Sequence, residues 1–393
     1  MHVLKLLHKQ LQKTGSIHKK RLASLFDIVE TAMQTQYVTL TGLGRRLSSS
    51  IKIKHKIKKV DRLIGNKHLQ RERVEIYQQL SRQLIGKRKT PYIIVDWSPL
   101  AEGSYYYLLR ASLACKGRAI TLYEECHPDS KNANTKVHKT FLKTLEKILP
   151  PDCQPIIITD AGFRNSWFNQ VEALHWHWIG RVRHNTLYQA LKTDNWLRIS
   201  SLHAKATDKA KRLGQVLLAR SNPLSCYFYL YKKEAKGRKK KTLLGKTCRQ
   251  STSLKCAKRG REPWLIASSM ESPANTIIKL YAKRTQIENS FRDTKNQRVG
   301  FSLNDTGTRN IERLNILLLI VYIASIGLWF IGQCAKENKR HYQFQANTIK
   351  HRDVLSNIYL GWQILFSAAD LLTRREINNT LRAFINGEYE GAL

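Results

Sequence analysis

Two acids end short apolar runs rich in β-branched residues, Tyr92-Ile93-Ile94-Val95-Asp96 and Pro155-Ile156-Ile157-Ile158-Thr159-Asp160. Such runs predict buried central strands, and ligands of open α/β sheets gather at the carboxyl ends of their strands. An acid in that place must be solvated, paired or bound to a cation. The same position also suits an Asp that only caps a turn or a helix. A third acid stands in a different setting. Tyr281, Arg284, Glu288, Arg292 and Lys295 are spaced +3, +4, +4, +3, which places them on one stripe of a single helix. Leu280, Ile287 and Phe291 fall on a neighbouring stripe that would anchor this helix to a sheet. A carboxylate set among cations suits a metal ligand flanked by groups that hold phosphates. The competing view is an exposed helix laced with Arg284–Glu288 and Glu288–Arg292 pairs. Taken together, Asp96, Asp160 and Glu288 suit two Mg²⁺ or Mn²⁺ ions about 4 Å apart. One ion would activate a water or 3′-hydroxyl, and the other would stabilise the leaving oxygen.

These acids need elements to hold them. Strand-like runs from Tyr105 to Ala114 and from Arg118 to Glu124 are separated by a Lys116-Gly117 turn, and His138 to Leu149 has helical spacing until Pro150 and Pro151 stop it. The order strand, strand, strand, helix, strand predicts an α/β fold with a mixed sheet and a crossover back to its centre. Residues 1–88 have helical spacing, through Val3, Leu6, Leu7 and Leu11 and through Ile76, Leu80 and Leu84. Within them the segment from Arg45 to Arg62 carries Arg45, Arg46, Lys52, Lys54, Lys56, Lys58, Lys59 and Arg62 around a turn-like Ser48-Ser49-Ser50. This arrangement predicts a helix-turn-helix unit that binds DNA; a merely solvated charged face is the alternative. We expect a catalytic core in two parts, 89–189 and 273–335, a β-rich insertion over 190–272, and a helical C-terminal region over 336–393. The insertion includes a basic loop, since Lys232 to Arg261 holds thirteen Lys or Arg against the single acid Glu234.

Composition supports a nucleic-acid partner. Sixty-eight Lys and Arg against 29 Asp and Glu leave a formal net charge of +39. A folded chain this basic repels itself unless a polyanion neutralises it, and nucleic acid presents the densest regular negative charge. An anionic membrane surface would be second. The seven cysteines form no C-x-x-C pair, which predicts reduced thiols in a cytoplasmic protein. The uncharged run from Leu314 to Ala335 approaches the length of a membrane span. It contains Asn315, Ser325 and Gln333, so a buried core helix is the expectation and no membrane partner is assigned. Gly245-Lys246-Thr247 imitates the end of a P-loop, but Lys240 stands where the first glycine is required.

Tyr281, Arg284, Glu288 and Lys295 fit the Tyr-x₂-Arg-x₃-Glu-x₆-Lys signature of bacterial insertion-sequence transposases. Asp96-Trp97-Ser98 and Thr159-Asp160-Ala161-Gly162-Phe163 are similar to the two aspartate motifs of the same group. The chain resembles the fourth insertion-sequence family over most of its length. The resemblance implies an RNase H-like fold with a β-rich insertion and Asp96, Asp160 and Glu288 as catalytic triad. It further implies that Tyr281, Arg284 and Lys295 grip phosphates, with Arg292 assisting, and that Trp264 packs against a flipped base. A plain core tryptophan at 264 stays open as well. The implied reaction is cut-and-paste transposition through nicking, hairpin formation, hairpin opening and strand transfer. The implied partners are double-stranded DNA at inverted-repeat ends and a second copy of the chain, on the nucleoid. A nuclease that cuts without joining and a catalytically inactive regulator that only binds the ends are the rival readings.

Overall fold

A computed structural model of the protein describes all residues except 1, 14, 16, 36, 102, 184, 192, 234–249, 252–253, 255–261, 297–299, 350 and 389–393. It divides into two compact units, Met1–Cys153 with Thr285–Ala392, and Gln154–Arg284. The described residues hold ten strands and twelve α-helices.

The first unit begins with five helices: α1 (His2–Lys13), α2 (Lys19–Thr35), α3 (Leu40–Arg46), α4 (Ile53–Ile64) and α5 (Lys67–Ile85). Polar caps start two of them, because the Thr39 side chain accepts from the Gly42 N–H and the Asn66 side chain from the Leu69 N–H. Strands β1 (Tyr92–Pro99), β2 (Tyr106–Leu113) and β3 (Ile120–Pro128) follow as an antiparallel meander, and then α6 (Thr135–Ile148). Asn134 caps α6, and the Pro150-Pro151 pair lies just beyond its end.

The same unit resumes with α9 (Thr285–Lys295), α10 (Ile311–Glu337), α11 (Asn357–Ser367) and α12 (Arg374–Ile385). Helix α10 is the apolar segment long enough for a membrane span, and 94% of its most hydrophobic window is buried inside the protein. It packs against α2, α5, α11, α12 and β3. Two of its polar residues are partnered: the Asn315 side chain accepts from the Cys126 N–H at 2.9 Å, and that of Gln333 accepts from Asn357 at 2.8 Å. Gly332 lets the α11 backbone lie directly on α10, since a Cβ there would overlap the Asn357 carbonyl.

The second unit is the mixed part of the fold. Strand β4 (Ile156–Thr159) leads through α7 (Asn165–Glu172) to β5 (His177–Val182), and β4 and β5 run parallel. Beyond β5 the order is β10-β9-β8-β6-β7, all antiparallel, formed by β6 (Leu187–Ala190), β7 (Leu197–Arg198), β8 (Lys211–Leu218), β9 (Leu224–Tyr231) and β10 (Trp264–Ser268). Helix α8 (Ala274–Ala282) closes the unit. The basic loop expected over Lys232 to Arg261 lies largely outside the described residues. The five described cysteines are buried free thiols.

Two expectations about elements are corrected. Strand β1 does not end at Asp96; it continues to Pro99, because Asp96 to Pro99 stay paired with Arg110 to Tyr107 across the meander. The stripe of polar residues from Tyr281 to Lys295 does not lie on one continuous helix. Lys283 and Arg284 donate to Leu280 and Tyr281 three residues back, and this tighter turn separates α8 from α9.

Candidate active site

Asp96 sits on β1 with its side chain half-buried, and one of its oxygens accepts the Trp97 N–H at 2.9 Å. The Trp97 indole donates to His138 at 2.9 Å. Burial, with His127 nearby, pushes the His138 imidazole down to about 4, so the ring is a neutral acceptor at ordinary pH. Glu288 lies in the first turn of α9 and is exposed. Lys295, in the last turn of the same helix, donates to the Ser98 hydroxyl at 2.7 Å and to the Pro99 carbonyl. Burial lowers its ammonium to about 7, with Arg110 acting in the same direction while Glu124 and Asp96 oppose it. The first unit therefore brings the Asp96 strand, the Glu288 helix and Lys295 together. Arg292 is exposed and bonds to Asn289 at 3.0 Å.

The second unit holds Asp160, Tyr281, Arg284 and Trp264. Asp160 follows the last residue of β4, as expected, and its Oδ1 accepts the Gly162 N–H at 2.7 Å. That bond fixes the turn into α7, so the modest role of a turn-forming Asp is present alongside any other. Tyr281 is buried, and its ring meets Trp264 edge-on at 5.1 Å between centroids. Burial raises the Tyr281 phenol, while Arg284, Arg181 and Arg183 lower it and the Asp160 carboxylate raises it. Trp264 is half-buried, with the Lys233 ammonium over its ring at 5.5 Å.

The basic N-terminal residues cluster on α3 and α4. Arg45 and Arg46 occupy the last turn of α3, Lys52 immediately precedes α4, and Lys54, Lys56, Lys58, Lys59 and Arg62 lie along α4. All are exposed except Lys56 and Lys59, which are half-buried; Lys59 pairs with Asp27 at 2.7 Å. Lys58, Lys59 and Arg62 line a groove of about 680 Å³ with Lys20, Arg21 and His55. Helices α3 and α4 touch closely at Gly44, where a Cβ would come within 2.6 Å of the Ile57 Cα.

Several polar residues escaped the sequence reading. Arg181, Arg183, Arg164 and Arg220 line a cavity of about 880 Å³ in the second unit. Arg181 and Arg183 alternate along and just beyond β5, a pattern visible in the sequence but with no partner to give it meaning. In the first unit Arg110, Glu124, Ser290, Asp293 and Thr294 are buried. The signal for Arg110 was a lone charge inside the largely apolar β2, whereas Glu124 stands beside Glu125 in β3 and gave no such signal.

A family model described as a transposase DDE domain matches residues 87–324, more than half of the chain. The chain belongs to the transposase DDE domain family. No curated protein matches the chain at a significant level. The DDE transposase match spans Asp96, Asp160 and Glu288, and the α/β fold with its mixed sheet is the RNase H-like architecture expected from the sequence. Membership makes the protein a DNA-acting transposase of a family that uses divalent metal ions. Among the described residues no three Asp, Glu, His or Cys side chains form a ready-made metal cluster. Magnesium is ordinarily held by one or two carboxylates together with substrate phosphates and water. The hard carboxylate oxygens of Asp96, Asp160 and Glu288 fit that donor chemistry.

Proposed function

We propose that the protein is a cut-and-paste transposase of the fourth insertion-sequence type, acting as a dimer on the inverted-repeat ends of its own element. The observation that carries this reading is the span of the family match: residues 87–324 include Asp96, Asp160 and Glu288. The packing of the Glu288 helix on the Asp96 strand supports it further. Asp96, Asp160 and Glu288 would hold two Mg²⁺ ions. Bound there, the ions supply Lewis-acid stabilisation of the phosphate and lower the pKa of the attacking water or 3′-hydroxyl.

The remaining work belongs to the chain itself. Arg284 and Lys295 hold phosphates, with Arg292 at the exposed edge of the helix that carries Lys295. Tyr281 is buried, so its part is to back Trp264 and to present the phenol's polar end to the arginine cluster. Trp264 gives an unpaired base at a hairpin tip a surface to stack on. The helices of residues 1–88 bind the ends through the basic face of α3 and α4. We further propose the division into a DNA-binding unit (1–88), a core in two parts (89–189 and 273–335), a β-rich insertion (190–272) and a helical C-terminal region (336–393).

The deciding experiment incubates purified protein with labelled duplex carrying the element's own ends, with and without Mg²⁺, and resolves the products on a denaturing gel. Metal-dependent nicks and hairpins at the element boundary are expected. Tight binding with no metal-dependent product would overturn the reading in favour of an end-binding regulator.

A further inference from the structure

Helix α9 carries Glu288, yet much of the face it turns to the sheet is polar. Gln286, Ser290, Asp293 and Thr294 accompany Ile287 and Phe291 there, and each polar group meets the β2–β3 hairpin. The centre of this contact is Arg110. Its Nε donates to Glu124 at 2.8 Å, its Nη1 to the Ser290 hydroxyl at 3.0 Å and its Nη2 to the Thr294 hydroxyl at 2.8 Å. The guanidinium also lies over the Phe291 ring at 4.5 Å. Arg110 and Glu124 are each 1% exposed.

The sheet register gives these contacts their meaning. Asp96 pairs with Arg110 across β1 and β2, and Arg110 pairs with Glu124 across β2 and β3. Directly paired residues share a face of a sheet, so the Asp96 carboxylate and the Arg110–Glu124 pair stand in one row beneath α9. A buried ion pair is a poor way to gain stability, because well-packed apolar side chains of equal volume usually serve as well or better. Its advantage is direction. The Ser290 and Thr294 hydroxyls donate to the Ile287 and Ser290 carbonyls of their own helix at 2.9 and 3.1 Å. Their lone pairs are therefore aimed, and the planar fork of Arg110 meets them in only one setting of the helix. A rotation by one residue, or a slide by one turn, breaks both bonds at once. Two further contacts fix the ends of α9. The Gln286 side chain exchanges hydrogen bonds with the Cys115 backbone at 3.2 and 2.8 Å, and Arg118 bonds to Asp293 at 2.6 Å and to the Asn289 carbonyl at 3.3 Å.

We propose that Arg110, held by Glu124, is a positioning residue that sets the rotation and height of α9 and thereby the place of Glu288 over the Asp96 strand. The inference rests on the proposed roles of Asp96 and Glu288 in catalysis. It assigns a function to a buried charge pair that touches neither substrate nor metal.

Two variants test it. Ser290→Ala with Thr294→Val removes the aimed hydroxyls and leaves the ion pair intact. Arg110→Met with Glu124→Leu replaces the pair by apolar side chains of similar volume. Amide hydrogen exchange over residues 285–295 is measured in metal-free protein, beside end binding and the Mg²⁺ dependence of cleavage. Exchange in α9 should rise at least tenfold in both variants while β2 and β3 keep their protection. End binding should stay within twofold, cleavage should fall at least tenfold, and half-saturating Mg²⁺ should rise at least threefold. Unchanged exchange in α9 would overturn the proposal, as would faster exchange with an unaltered Mg²⁺ requirement, which marks a purely structural pair. If the second variant fails to fold, the first still decides. A wild-type protein that never cuts would instead defeat the proposed function, and the exchange measurement alone would then decide whether Arg110 fixes the helix.

Discussion

Asp96 and Asp160 are half-buried and Glu288 is exposed. Asp160 is tied into its turn by the Gly162 N–H, Asp96 accepts the N–H of Trp97, and Glu288 stands on the first turn of α9. Glu288→Gln removes a charge and no packing, so it should lower metal-dependent cleavage by at least about 100-fold and leave end binding within twofold. A gel-shift beside the cleavage assay checks this, and lost binding would make the acid structural. Trp264 packs on Tyr281, and base stacking on an aromatic ring is worth about 1–3 kcal/mol. Trp264→Ala should therefore slow hairpin formation about tenfold or more while first nicking slows less than threefold; equal slowing would return Trp264 to the core. His138 gives a pH dependence. Its folded value near 4 lies below the unfolded value of 6.5, so between these the unfolded chain binds the proton and the folded chain does not. Stability is complete above pH 6.5 and falls as pH drops toward 4, by at most ~3 kcal/mol. His138→Gln keeps an acceptor for Trp97 without titrating, and its melting temperature should lose less over that window than wild type. An identical acid profile would remove His138 from the account.

At the scale of elements, the two helices that hold the basic N-terminal residues depend on a single missing side chain. Gly44 lies against the Ile57 backbone, and overpacking at such a contact costs about 1–3 kcal/mol. Gly44→Val should lower the melting temperature by several degrees and weaken DNA-end binding at least tenfold, since α3 and α4 can no longer present one face. Binding unchanged in a folded Gly44→Val protein would show that these helices do not carry the ends. The break between α8 and α9 matters in the same way. Tyr281 and Arg284 belong with α8 and β10, whereas Glu288, Arg292 and Lys295 belong with β1 and the β2–β3 hairpin. A motif compact in sequence thus serves two groups of contacts, and a one-residue insertion at Lys283 should be far more harmful than one after Asp305.

For the molecule as a whole, charge dominates. A formal net charge of +39 spread over exposed helices and the insertion predicts binding governed by counterion release. With about six to ten phosphates contacted, raising salt from about 50 to 200 mM should weaken DNA binding by about 10³–10⁵. A titration by fluorescence anisotropy measures the slope, and a flat response would contradict the assignment of the basic surface. Against this charge, stability rests on a thoroughly apolar centre. Helix α10 is buried along nearly its whole length, which is why a segment of membrane-like composition lies inside the protein.

The sequence by itself was enough for the strands that bring Asp96 and Asp160 and for the helix that carries Glu288, because period-2 and period-3.6 patterns are local properties of the chain. The apolar α10 was legible too, since its few polar residues pointed away from lipid. Only the tertiary structure decided that β1 runs on past Asp96, because strand length is set by the partner in β2. It alone revealed the Arg110–Glu124 pair with Ser290 and Thr294, whose members lie up to 184 residues apart. A buried charge is tolerated only where a partner meets it, and the chain order does not say which distant residue that partner is.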